Sequence, residues 1–101
     1  MRIILFFDLP RNTSKETSSA ARFVKELTKE GFIMLQESVY CKLLLNMSAF
    51  AGIRKRIDKI KPKKGNIMLM TVTEKQFNDI EYVLGESEHK QLDKLDRVVV
   101  V

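Results

Sequence analysis

Residues 3–7 are five apolar side chains in a row, Ile3, Ile4, Leu5, Phe6 and Phe7, followed by a carboxylate, Asp8, and a proline, Pro10. A short, bounded run rich in β-branched and aromatic residues predicts a strand buried on both faces. Pro10 has no amide hydrogen for a ladder and keeps Leu9 out of helical geometry, so the strand ends there. Asp8 therefore stands at the carboxyl end of a core strand. That is a costly place for a charge and a frequent one for a functional carboxylate.

The pattern then changes period. Thr13 and Glu16 have the spacing of a capping box and predict a helix from Ser14. Ala20, Phe23, Val24 and Leu27 fall on one face of it, and Gly31 closes it in the left-handed conformation. Residues 32–45 have no helical period and predict two strands, 32–35 and 39–45, joined by a tight turn or bulge at 36–38. A second helix is expected over about residues 48–60, with Phe50, Ile53, Ile57 and Ile60 as its apolar stripe and Pro62 at its exit. After Gly65, residues 66–73 contain another unbroken apolar run. Thr73 and Gln76 repeat the capping-box spacing and predict a short helical turn at 74–79. Residues 80–84 read as a brief strand and 85–94 as a polar loop with His89 in solvent. The four valines 98–101 read as a terminal strand.

The order β, α, β, β, α, β with a further terminal strand is α+β and matches the ferredoxin-like βαββαβ two-layer sandwich, with both helices on one face of the sheet. The length of 101 residues suits one domain, 1–101, around one core. In such a sandwich the strands should alternate apolar and polar. Residues 3–7, 43–45, 67–70 and 98–101 are instead apolar at every position. The chain has no spare helix for the second face, and an apolar patch of that extent is an association surface. The expectation is an obligate homodimer with the uncovered sheet faces packed together. The C-terminal strand, 96–101, would pair with the partner's sheet edge. With the opening strands near the two-fold axis, the two copies of Asp8 approach each other. One carboxylate holds a magnesium ion poorly. Two facing carboxylates repel, and a shared divalent cation relieves that repulsion.

Charge sharpens the picture of partners. Net charge is +5, but residues 1–64 hold 14 Lys/Arg against 6 Asp/Glu, a net +8, and residues 65–101 hold 4 against 7, a net −3. A cationic surface on the first two-thirds points to a polyanion. Its densest stretch, residues 54–64, carries seven cations and one acid. Arg54, Lys55, Arg56, Lys59, Lys63 and Lys64 are its candidates for phosphate contacts, with Arg11, Lys15 and Arg22 as a second set; a merely solvated helix face is the competing reading. Residues 43–45 and 67–70 offer no aromatics for base stacking on the sheet. One cysteine, Cys41, and one histidine exclude an internal disulfide and the usual zinc sites. Asp8 interrupts the only leader-like run and no stretch could span a bilayer, so the expectation is a reduced, cytoplasmic protein without a membrane partner.

Three residues carry two readings each. Asp8 is a cation ligand, or a turn-former accepting from the Arg11 or Asn12 amides. Ser38 places a hydroxyl near Asp8, or satisfies its own backbone in the turn. Tyr40 is a core or interface residue rather than a stacking platform.

The segments MRIILFFDLP, GFIMLQESVY, KLLLN and PKKGNIMLMTVTEKQF together resemble the CRISPR-associated Cas-two (Cas2) family of small adaptation proteins, particularly its short type II members. The resemblance runs over essentially the whole chain. Phe7-Asp8-Leu9-Pro10 is moderately specific alone; with Gln36-x-Ser38-Val39-Tyr40 at its distance the match is strong. It implies a ferredoxin-like homodimer that assembles with the Cas-one integrase and bridges short double-stranded DNA during spacer acquisition. It also implies that Asp8 is the catalytic, metal-binding aspartate at the dimer interface, with Mg2+ or Mn2+ shared between two copies. Family members have been described both as magnesium-dependent endonucleases on RNA or DNA and as scaffolds of the acquisition complex. Phe7 stands where tyrosine is frequent in the family, and Met34 where arginine occurs; both remove polar groups near the site and imply slow catalysis. No second acid or histidine adjoins Asp8 as a base. The leading reading is thus a DNA-binding scaffold with weak magnesium-dependent endonuclease activity. The alternative is a working, toxin-like metal-dependent endoribonuclease of the same fold; a small-molecule regulatory dimer lacks a glycine-rich ligand loop.

Overall fold

In a computed structural model, which describes residues 1–85, the chain folds into one four-stranded antiparallel sheet with its two long helices on one side. The elements are β1 (Arg2–Asp8), α1 (Ser14–Lys29), β2 (Ile33–Gln36), β3 (Val39–Leu43), α2 (Phe50–Ile60), β4 (Asn66–Val72) and a short α3 (Glu74–Asn78). Strand order is β2-β3-β1-β4, so β1 is flanked by β3 and β4. This is the ferredoxin-like arrangement expected from the element order.

Local signals account for the boundaries. The Thr13 hydroxyl accepts from the Glu16 amide at 3.1 Å, and Glu16 Oε1 accepts from the Thr13 amide at 3.2 Å, closing the capping box that starts α1. At its other end Gly31 takes φ +91°, and the Lys42 ammonium donates to the Glu30 carbonyl at 2.7 Å, satisfying one of the helix's orphan acceptors. The second capping box, Thr73 with Gln76, starts α3 as expected. The joint between β2 and β3 contains both a bulge, between Met34 and Gln36, and a tight turn.

Ile3, Leu5 and Phe7 of β1 project toward the helices. They pack with Phe23 and Leu27 of α1, Ile53 and Ile57 of α2, and with Phe32, Tyr40 and Leu44. The Phe7 ring meets Phe23 edge-on at 5.5 Å and stacks on Tyr40 at 5.8 Å, which places Tyr40 in the core. The alternate residues of β1 face the other way, where Ile4 packs with Leu35, Cys41, Val72 and Phe77. Part of that second face is bare among the described residues. Ile33, Leu43, Met70 and Met68 on it are 40, 54, 48 and 64% exposed, so the unbroken apolar pattern does mark an uncovered sheet.

Three expectations need correction. The second face is not wholly without a helix, because α3 lays Phe77 against Ile4 and Val72, with the Arg2 guanidinium 4.0 Å above the ring. Residues 80–84 form no strand. The Ile80 amide turns back to the Phe77 carbonyl at 3.2 Å to finish the helix, and Val83 and Leu84 are exposed, so the apolar run has no ladder to join. Strand β3 stops at Leu43 rather than at 45: the Leu44 amide still donates to the Met1 carbonyl at 2.8 Å, in register with the ladder, but the chain then enters a turn capped by Asn46. The expected His89 loop and the valine strand lie outside the described residues. Among the described residues no helix is long and apolar enough to cross a membrane.

Truncating the fully buried Phe23 should lower stability by about 3–5 kcal/mol. Removing the helix cap with Thr13→Ala should cost only about 1 kcal/mol. Urea unfolding followed by circular dichroism at one fixed protein concentration compares the two.

Candidate metal and nucleic-acid site

Asp8 is the last residue of β1. It shares its side of the strand with Ile4 and Phe6 and is exposed at the edge of the uncovered face. Its carboxylate has no hydrogen-bond or ion-pair partner among the described residues. The turn-forming role is not taken up. The Asn12 and Thr13 amides donate to Glu16 Oε1 at 3.1 and 3.2 Å instead.

Two neighbours hold the end of β1 in place. Ser38 takes φ +69° in the β2–β3 turn, a conformation that costs a non-glycine residue energy, and its carbonyl accepts from the Phe7 amide at 3.1 Å. The turn is thereby fastened next to Asp8. On the opposite flank Gly65, at φ +112°, comes so close that an added Cβ would lie 2.8 Å from the Asp8 carbonyl oxygen and 2.7 Å from Leu9 Cδ2. The next residue, Asn66, sits directly across the ladder from Asp8.

The donors here are hard oxygens, which suit Mg2+ or Mn2+ rather than a softer metal. The described residues contain no group of three or more His, Cys, Asp or Glu that could enclose an ion. One chain thus brings a single carboxylate, exposed on a face that another chain could cover. That fits a cation site completed by a second copy.

The cationic candidates separate into two groups. Lys15 and Arg22 of α1 face Lys61, Lys63 and Lys64 of the α2–β4 connection across an open groove of about 670 Å³, floored in part by Leu9 and Pro10. Lys15, Arg22, Lys63 and Lys64 have no ion-pair partner among the described residues. On α2 two of the four cations are paired. Arg54 pairs with Asp58 at 2.7 Å, and Arg56 reaches Glu30 of α1 at 2.7 Å. Lys55 and Lys59 are exposed on α2 and Arg11 precedes α1; none of the three lines the groove. The structure therefore joins Lys15, Arg22, Lys63 and Lys64 in one groove, while Arg54, paired with Asp58, lines a second one of about 560 Å³ that shares Lys61, Lys63 and Lys64.

Sequence reasoning missed two members of this neighbourhood. Lys61 lines the groove while also lying 3.1 Å from Asp58. Asn66 looked like an ordinary first residue of a strand; only the register puts it opposite Asp8.

Known proteins share this architecture and sequence. A family model described as CRISPR associated protein Cas2 matches residues 1–80. The CRISPR-associated endoribonuclease Cas2 of Treponema denticola is 46% identical over 101 residues, covering 100% of both chains. Its namesake in Streptococcus mutans serotype c is 48% identical over 99 residues, 98% of this chain and 91% of the relative. The crystal structure of Streptococcus pyogenes Cas2 at pH 6.5 shares the fold, with a TM-score of 0.65 over 84% of this chain and 100% of that one at 18% identity.

Hydrogen bonds from Arg54, and then from Lys61, hold the Asp58 carboxyl below its ordinary value of 3.8. A depressed folded-state value means that its contribution to stability is complete above the unfolded value and drains away as pH falls through the folded one. Asp58→Asn should therefore melt earlier than the parent at pH 7, with the gap closing below about pH 4. Thermal melts between pH 3 and pH 7 test this; a gap independent of pH would remove the ion pairs as its cause.

Proposed function

The chain belongs to the CRISPR-associated Cas2 family, and from that membership we propose that it is a dimeric double-stranded-DNA-binding scaffold for the Cas-one integrase in spacer acquisition. It would act in the cytoplasm and retain a slow, metal-dependent endonuclease activity at Asp8. The observation that carries the reading is the groove, where four cations without ion-pair partners among the described residues converge. Cations that are already paired gain little from a phosphate, whereas unpaired ones exchange condensed counterions for contact with a nucleic-acid backbone. Contacts of that kind give affinity without sequence information, which suits a protein that handles arbitrary short duplexes.

Dimerisation follows from the bare sheet face. Exposed Met68, Met70, Leu43 and Ile33 make a patch that a second copy would cover, bringing Asp8 of each chain to a common interface. The 96–101 segment would add to the partner's sheet at β4, which stands at an open edge among the described residues. Paired Asp8 carboxylates would hold Mg2+ or Mn2+, and a bound cation supplies Lewis acidity at a phosphate oxygen. The protein's own part is to fix those carboxylates through the Ser38 turn and the Gly65 approach. Asp8 belongs to no group of three or more His, Cys, Asp or Glu among the described residues from which a base could be drawn, which is why cleavage should be slow.

The relatives' name, endoribonuclease, favours a second reading in which RNA cleavage at Asp8 is the working activity. Two sets of variants separate the two. Reversing the charge of Lys15, Arg22, Lys63 and Lys64 should weaken duplex binding about tenfold or more at low salt. It should also flatten the salt dependence by roughly one slope unit for each phosphate no longer neutralised. Reversal of Arg54, Lys55 and Arg56 should do much less. Asp8→Ala should end RNA or DNA cleavage and leave duplex affinity unchanged. Unaltered DNA affinity in the groove variants would remove the scaffold reading. Met68→Glu should shift sedimentation toward monomer; a stable folded monomer of the parent at micromolar concentration would remove the dimer.

A further inference from the structure

The antiparallel ladder sets Asn66 directly across from Asp8. Directly opposed residues carry their side chains on the same face, with Cβ atoms about 4.5–5.5 Å apart. Both are exposed, and neither side chain has a hydrogen-bond partner among the described residues. A strand-end asparagine usually spends its amide on a nearby backbone group. Here it is left open beside an open carboxylate.

Gly65 explains why the two stay together. With φ at +112° and the Asp8 carbonyl only 2.8 Å from where a Cβ would sit, the backbone of β4 enters the ladder closer to β1 than any side chain at position 65 would allow. That approach fixes the last rung, Asp8 opposite Asn66, at the point where the strands would otherwise fray.

We propose that Asn66 supplies a second oxygen to the cation site of Asp8, so that each chain contributes a carboxylate and an amide carbonyl. The proposal rests on the reading of Asp8 as a cation ligand. Two chains would then present two carboxylates and two neutral oxygens, leaving room in a six-oxygen shell for water or phosphate. The neutral charge of the amide matters. It adds a donor without adding to the repulsion between the two Asp8 carboxylates, which a third and fourth acid would increase in the metal-free dimer.

The test is a Mn2+ titration of the full-length, 15N-labelled protein, read as paramagnetic broadening of the amide signals of residues 8 and 66. Asp8→Ala should abolish the saturable broadening. Asn66→Ala should weaken Mn2+ binding about tenfold, the lower end of what losing a metal-site partner costs. Asn66→Asp keeps the oxygen and should bind at least as tightly as the parent; weaker binding in that variant would count against an oxygen ligand at position 66. Should Asn66→Ala fail to dimerise by sedimentation, Asn66→Leu, of the same shape without the oxygen, replaces it. Parental affinity in the oxygen-free variant, with Asp8→Ala still abolishing binding, would overturn the proposal and leave Asp8 as the ligand. No saturable effect at residue 8 of the parent would overturn both.

Discussion

A central strand apolar on both sides is the constraint from which the rest of this structure follows. Ile3, Leu5 and Phe7 are covered by α1 and α2, which uses up the two long helices. Ile4 and Phe6 face the other way, where among the described residues Phe77 from α3 helps to bury Ile4 and Phe6 stays partly exposed. Arg2 is drawn into this small second layer. Its guanidinium lies over Phe77 and its Nε is 3.2 Å from Glu74, so one side chain ties the start of β1 to α3. What α3 does not cover is left exposed among the described residues, and Asp8 lies on that remainder.

Charge is arranged by the same packing. Exposed ion pairs contribute little to stability one by one. They do decide which cations are available to a ligand. Glu30 and Asp58 occupy Arg56 and Arg54, while the turn after α2 carries Lys63 and Lys64 past the last acid of that helix and sets them opposite Lys15 and Arg22. A dense run of basic residues in a sequence therefore does not say which of its charges are free. The partners of a charge are set by tertiary contacts such as Arg56 to Glu30, 26 residues apart.

Most of the fold was legible because its signals are local. Capping boxes at Thr13 and Thr73, the left-handed Gly31 and the apolar stripes of α1 and α2 each depend on residues within a few positions of one another. The misjudged stretch, residues 80–84, has the composition of a strand, but strand formation requires a free sheet edge, and local composition does not report one. The site was half legible for the same reason. Asp8 announces itself as a charge at the end of an apolar run. Asn66, 58 positions on, becomes its neighbour only through the register of β1 against β4, which a single sequence does not encode in any short pattern.

The end of β1 borders both candidate sites, yet it keeps them on different sides. Leu9 and Pro10 floor the cationic groove on the helix side, while Asp8, one residue earlier, lies on the uncovered face. Strand alternation produces this division, since consecutive residues point to opposite faces. The connection through residues 61–66 serves both: Lys61, Lys63 and Lys64 line the groove, and Gly65 and Asn66 abut Asp8. A polyanion in the groove and a cation at Asp8 would thus share one rigid turn without sharing a ligand. Substitutions at the groove can then leave the Asp8 face intact, and the reverse, because the two sets of residues lie on opposite faces of a single strand end.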